Sequence, residues 1–346
     1  MSETHSFDRL AGFAARLLEA AGCDPEKAAS VAALLVTADA MGHSTHGLAQ
    51  LPDYLEELEK GGMRGHGEPR VVQDRGAVVT WDGERLPGVW LVATAMTLGI
   101  ERAGRYGQCA IAIRRSHHIA CLAAFLPRAT EAGMMAILAS SDPSDAHVAP
   151  FGGTRAVFTP DPIAIGIPTG GDPILIDISS SITTAGMTAR LRREGKRFPG
   201  LWALDAQGRP TDDPNVLAAE PKGTLLPVGG TDHGHKGYGM ALMVEALTQG
   251  LSGYGRADGE REWGASVFLQ ILDPTAFGGA VAFRRQADWL VEACKRNPPA
   301  PGHEAVRLPG QAAMAKLRRA RAEGLTLYPG ILEKLVEIGT AKGIAL

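Results

Sequence analysis

The spacing of the apolar residues changes twice along this chain, and those two changes limit the folds open to it. From residue 7 to residue 60 the apolar positions recur at helical spacing. Phe7, Leu10, Phe13 and Leu17 share one face, Gly22 ends that pattern, and Asp24-Pro25 supplies an N-cap and first-turn pair for a second helix to about Met41. A third helix is expected from about Leu48 to Lys60. From Val71 onward, short β-rich runs (VVQDR, AVVTW, CAIAIR, MMAILAS, IAIGIP, ILIDIS, LWALD and VFLQIL) alternate with helical stretches at 89–104, 119–132 and 237–251. After Leu308-Pro309-Gly310 the helical period returns, over about 311–322 and 330–342. The pattern predicts an α/β (α+β) protein: a helical domain built from both chain ends, 1–76 and 310–346, beside a central α/β domain over 77–309.

Composition narrows the partners. Hydrophobic residues make up 45% and charged residues 21% of the 346, the balance of a soluble globular protein. Thirty-five basic against 38 acidic side chains leave a charge of −3, so no nucleic-acid partner is expected. MSETHSFDRL has no basic segment followed by an apolar one, and no apolar run approaches the roughly 18 residues of a membrane span. A cytoplasmic protein without a membrane partner is the expectation. Cys23, Cys109, Cys121 and Cys294 show no CxxC spacing and read as reduced, buried thiols.

The ten histidines are unevenly spread, with three close pairs at His43/His46, His117/His118 and His233/His235, each near a polar, glycine-containing segment. Imidazole is a common metal ligand, but no HExxH spacing is present and no metal site is assigned. An imidazole that titrates near pH ~6.5 also serves as a general acid or base, and reduction of C=O or C=N needs one proton and one hydride. A nicotinamide fingerprint of the GxGxxG type is missing, as is GxxxxGK[ST]; Gly229 to Gly237 comes near the second and fails at His235.

The order of several short motifs is more informative than any one of them. Thr45-His46-Gly47 with Leu51-Pro52 and Tyr54, then Ser116-His117-His118, Asp177 to Ser181, Gly208-Arg209-Pro210-Thr211, Leu226-Pro227 with Gly229-Gly230, His235 to Gly239, and Leu308-Pro309-Gly310 together resemble the malate/L-lactate dehydrogenase family. The resemblance spans nearly the whole chain. It implies a non-Rossmann cofactor domain with a mixed or antiparallel sheet, NAD or NADP as cofactor, and a homodimer acting on a small 2-oxo/2-hydroxy acid or cyclic imino acid. It places the acid/base on His118, with His117 at a variable packing position. Thr45, His46, Gln50 and Tyr54 fall at the substrate wall, and Asp177, Ile178, Ser179 and Lys236 at the cofactor. Arg190, Arg192, Arg193, Lys196 and Arg197 offer either a 2′-phosphate site or a solvated helix face.

Three positions depart from the family pattern. Gln50 stands where the family carries an arginine that clamps a carboxylate, and an amide has neither the charge nor the fork of a guanidinium. Asp142, after Ser141, and Asp161, between Pro160 and Pro162, stand at the family's asparagine-containing segments on the cofactor side. A pocket with one positive charge fewer and up to two negative charges more predicts a substrate other than a simple dicarboxylate, with a neutral or cationic tail. Two further readings stay open on the sequence: a metal-dependent hydrolase using the paired histidines, and a family-shaped protein that binds a nucleotide or metabolite without turnover.

Overall fold

The computed structural model describes residues 4–346. The N-terminal helices are α1 (Phe7–Ala20), α2 (Pro25–Met41) and α3 (Leu51–Glu59), with one 3-10 turn, Leu48–Gln50, opening the third. β1 (Arg70–Asp74) and β2 (Val78–Asp82) follow, then α4 (Gly88–Tyr106), β3 (Gln108–Ser116), α5 (Leu126–Glu131), β4 (Met135–Ser141), β5 (Ile163–Ile167) and β6 (Ile174–Ile178). The next stretch holds α6 (Ala185–Arg193), the two-residue strands β7 (Ala203–Leu204), β8 (Pro210–Thr211) and β9 (Thr224–Leu225), α7 (Gly230–His233) and α8 (His235–Glu245). β10 (Ala265–Leu272), α9 (Ala280–Lys295), α10 (Gln311–Glu323) and α11 (Ile331–Ala341) complete the chain.

Seven strands form the main sheet in the order β1-β2-β3-β10-β4-β5-β6, and β8-β7-β9 form a small second sheet. Only β2 and β3 run parallel, joined through α4; every other pair is antiparallel. The mixed α/β sheet agrees with the predicted fold class. One continuous apolar core unites the terminal helices with the sheet, from Leu10, Phe13 and Leu35 through Leu91 and Ile111 to Leu317 and Leu335. β1 pairs within the main sheet, so sheet structure begins inside the segment assigned to the terminal helical unit.

The structure departs from the sequence pattern in a few places. Residues 119–132 are not one helix: a 3-10 turn at Leu122–Ala124 precedes the short α5, because the Asp177 carboxylate takes the Ala123 N–H at 2.8 Å. The helix expected over 237–251 is α8 followed by a π-helical turn, Ala246–Gly250. LWALD contributes only a two-residue strand, and α9 has no counterpart in the expected elements.

Candidate active site

β3 delivers the central residue. Its last residues bend sharply: Arg115 (φ 48°) and Ala120 (φ 57°) are non-glycine residues in the left-handed region, one on each side of Ser116–Ile119. The start of α4 presses on this turn so closely that a Cβ at Gly88 would lie 1.9 Å from the His117 carbonyl. His118 is thereby held over a cavity of about 590 Å³.

Around His118 the contacts are aromatic and polar. Tyr54 Oη lies 2.8 Å from Nδ1 and 3.3 Å from the His118 carbonyl. The Trp263 ring stacks at 5.1 Å, and the His46 ring lies 6.1 Å away. Burial, then the neighbouring imidazoles of His46 and His117, push the His118 pKa well below its ordinary value. Burial also keeps the Tyr54 phenol protonated. Because that hydroxyl both donates and accepts, it can donate to neutral Nδ1, or accept from Nδ1–H while its own proton turns to the carbonyl. Nδ1 is thus occupied, and Nε2 is the nitrogen left for the cavity.

The loop after α2 forms a second wall. Asp39 Oδ2 accepts the Leu48 N–H at 2.7 Å, which anchors Gly42–Gly47 in its bent path. Thr45 Oγ1 lies 2.9 Å from His46 Nδ1, and burial, with the charges of His43 and Arg190, lowers His46 to about 4. Gln50 is not on this wall; its amide donates to the Thr45 carbonyl at 2.8 Å and braces the loop from behind. His117 is fully buried, with Nε2 3.4 Å from Glu57, and packs as the sequence predicts.

The remaining walls come from the sheet ends and from α6. Asp142, Asp177, Ile178 and Ser179 all line the cavity. Asp142 Oδ1 accepts from both the N–H and the hydroxyl of Ser144, at 2.8 and 2.7 Å. Asp177, raised chiefly by burial, holds the 3-10 turn after His118. Asp161 lies beneath this wall, bonded to Thr159 at 2.6 Å; burial and the Glu245 charge lift it to about 8. Lys236 is exposed and outside the wall, but α8 begins against the cavity rim: a Cβ at the adjacent Gly237 would stand 2.5 Å from the Ser180 carbonyl.

The structure therefore gathers His118, Thr45, His46, Asp142, Asp177, Ile178 and Ser179 around one cavity, with Tyr54 and Asp161 directly behind it. Sequence reasoning did not single out Trp263, Asp39 or the cavity position of Arg190. Trp263 and Arg190 reach the site from far along the chain, and Asp39, though only nine residues from the Leu48 N–H it accepts, is the single acid in the apolar C-terminal half of α2, so no local pattern marks them. Among the described residues no group of three His, Cys, Asp or Glu side chains is placed to hold a metal ion.

A mixed-sheet α/β scaffold thus presents a histidine from a bent strand end to one cavity. The family model described as malate/L-lactate dehydrogenase matches residues 5–336. The malate dehydrogenase of Pyrococcus horikoshii is 31% identical over 345 residues, covering 97% of this chain and 95% of that one. The (2R)-3-sulfolactate dehydrogenase (NADP(+)) of Chromohalobacter salexigens is 32% identical over 345 residues, covering 97% and 98%. The crystal structure of Δ1-piperideine-2-carboxylate reductase from Pseudomonas syringae superposes with a TM-score of 0.85 at 30% identity, covering 97% of this chain and 100% of that one. This chain belongs to the malate/L-lactate dehydrogenase family.

Proposed function

We propose that the protein moves hydride between NAD or NADP and C2 of a small 2-oxo/2-hydroxy acid or cyclic imino acid, with His118 as acid/base. The observation that carries this reading is the tie between His118 Nδ1 and Tyr54 at 2.8 Å, which leaves Nε2 to serve the cavity. In the oxidising direction neutral Nε2 accepts the proton of the substrate hydroxyl. The imidazolium so formed donates Nδ1–H to Tyr54, whose own proton turns to the His118 carbonyl. In the reducing direction the same proton returns to the oxygen or nitrogen at C2.

The residues present suit a nicotinamide cofactor. Hydroxyls at Ser140 and Ser179 on the cavity wall offer hydrogen bonds to an amide-bearing ring, and Ile178 gives it an apolar face. Lys236, exposed at the start of α8, would supply a cation suited to phosphate. When bound, the cofactor supplies or takes the hydride. The protein's own part is to orient the 2-hydroxy acid, shield it beside Trp263, and hold the proton at His118.

The cavity also bears on the tail of the substrate. Its wall carries Asp142, Asp145 and Asp177 against a single guanidinium, Arg190. One anionic group is matched; a second would face carboxylates. A monocarboxylic 2-oxo or imino acid with a neutral or cationic tail fits this charge pattern better than oxaloacetate.

The test is oxidation of NADH and NADPH, followed separately, against a panel of 2-oxo and cyclic imino acids, for wild type and His118→Ala. The expected result is turnover that falls by about a hundredfold or more in the variant, with oxaloacetate a poor substrate. Equal turnover in wild type and variant would remove His118 from the chemistry. A strong preference for oxaloacetate would sink the charge argument.

A further inference from the structure

We propose that Arg190 is the substrate's carboxylate anchor in this chain, supplying from α6 the guanidinium that position 50 lacks. The inference rests on the 2-oxo acid reading above and assigns its specificity to a residue on a different element. Among the residues that line the cavity, Arg190 is the only lysine or arginine. Gln50 cannot serve: its amide is engaged by the Thr45 carbonyl behind the loop, and it does not line the cavity.

Arg190 is held firmly but makes no ion pair among the described residues; the Asp39 and Glu194 carboxylates feel its charge without direct contact. Its Nη1 donates to Ser44 Oγ at 3.1 Å, and its guanidinium lies 3.9 Å over the Tyr328 ring. Tyr328 is in turn fixed by its hydroxyl to Glu194. Among the described residues no carboxylate forms an ion pair with Arg190, and Ser44 is its one hydrogen-bond acceptor. Arg64, Arg102, Arg197, Arg256 and Arg318 each carry a carboxylate partner, whereas Arg190, like the exposed Arg192 and Arg193, forms no ion pair among the described residues, and of these three it alone lines the cavity. Stacking and one hydrogen bond remove most of the freedom a free guanidinium would lose on binding, and leave its other N–H groups for a planar carboxylate.

Position supports the same assignment. Ser44, which Arg190 holds, stands two residues before His46, and the His46 ring lies 6.1 Å from His118. A 2-oxo acid carries its carboxylate on the carbon next to the reacting carbonyl. A molecule seated between α6 and β3 therefore presents the carbonyl to His118 and the carboxylate toward Arg190, with neutral His46 between the two. The rest of the basic run takes no part: Arg192 and Arg193 are exposed, Lys196 pairs with Glu194, and Arg197 pairs with Asp212. The run is a solvated helix face with one member turned to the cavity.

The experiment uses the full chain as wild type, Arg190→Met and Arg190→Lys, each first compared by thermal melting. Steady-state kinetics with 2-oxopentanoate and with its uncharged analogue 2-oxopentanamide isolate the anion. The expected result is a KM for the acid raised by about a hundredfold or more in R190M, partly restored in R190K. kcat, the KM of the amide and the KM of NADH and NADPH should stay within a few-fold. An unchanged KM for the acid, an equal rise for acid and amide, or a rise confined to NADPH would overturn the assignment. Calorimetric binding of oxamate separates this inference from the reaction itself. Oxamate bound at least tenfold more weakly by R190M supports the anchor even if the wild type reduces no member of the panel. Oxamate bound equally by both proteins, or not bound by the wild type, overturns it. Turnover by the wild type with an unshifted KM in R190M leaves the reaction standing and removes Arg190.

Discussion

Two carboxylates of this molecule, Asp82 in the scaffold and the half-buried Asp39 beneath the site, are held on opposite terms. Asp82, at the end of β2, is met by Arg115 Nη2 at 2.7 Å, Arg70 at 3.0 Å and Arg114 at 3.2 Å, and also accepts the Glu84 N–H. Burial alone would raise it, but Arg115 and its neighbours outweigh burial and hold it below the ordinary value. Asp39, under the loop of Thr45 and His46, has one hydrogen bond from Leu48 N–H and a second oxygen with no partner. Burial lifts it to about 7. The guanidiniums around Asp82 neutralise its charge, whereas Asp39, beneath the loop that lines the cavity, keeps one oxygen unmatched and takes up a proton instead.

The sharpest way to break this contrast is to remove each carboxylate's charge in turn. Asp82→Asn leaves three guanidiniums around a neutral amide and should cost about 3 to 5 kcal/mol in urea unfolding at pH 7. Because Asp82 is depressed in the folded protein, its contribution is present above the unfolded carboxylate range and fades as the pH falls through it. The gap between wild type and variant should therefore narrow in acid. A loss below about 1 kcal/mol would mean that the cluster is ornamental.

Asp39→Asn should move stability the other way. With its carboxyl raised from 3.8 to about 7, the folded protein keeps a proton that the unfolded chain has released, so stability declines as the pH climbs between those values. Asparagine still accepts the Leu48 N–H. The variant should match wild type near pH 4 and exceed it at pH 8 by about 1 to 3 kcal/mol. A destabilised variant at pH 8 would show that the charge is held by a favourable partner instead.

Smaller effects test the two neighbours of the site. Tyr54→Phe removes the hydroxyl that orients the His118 ring and should lower kcat about tenfold while KM holds; an unchanged kcat would leave the phenol a packing group. Gln50→Ala should cost about 1 kcal/mol of stability through the Thr45 carbonyl and leave the KM of a 2-oxo acid nearly unchanged. A large rise in KM would return the carboxylate clamp to position 50.

Much of this molecule is legible in its apolar spacing, because most of its elements turn a regular face to one core. The terminal helices and the β-rich runs of the main sheet lie where their periods place them. α9 carries apolar residues at helical spacing (Phe283, Ala287, Leu290 and Cys294) that the sequence reading passed over, although only Ala287 along it is buried and Val281, Trp289 and Leu290 face outward. The helix expected over 119–132 fails because its competing partner, Asp177, is more than fifty residues away. His118 and Tyr54 are visible in ordered motifs, whereas Trp263 and Arg190 join them only through tertiary packing. The losses at Gln50 and the gains at Asp142 and Asp161 are plain in the sequence, but a compensating guanidinium on α6 is not.

The most direct measurement is an NMR titration of the His118 imidazole in the full chain, assigned with His118→Gln, with and without oxamate. In the free protein the ring should remain neutral from pH 8 to well below about 6.5, because burial opposes its charge. Oxamate, by bringing an anion into the cavity, should raise the midpoint. A free-protein midpoint at or above about 6.5 that oxamate does not move would contradict the claim that the cavity holds this imidazole neutral and ready for its substrate.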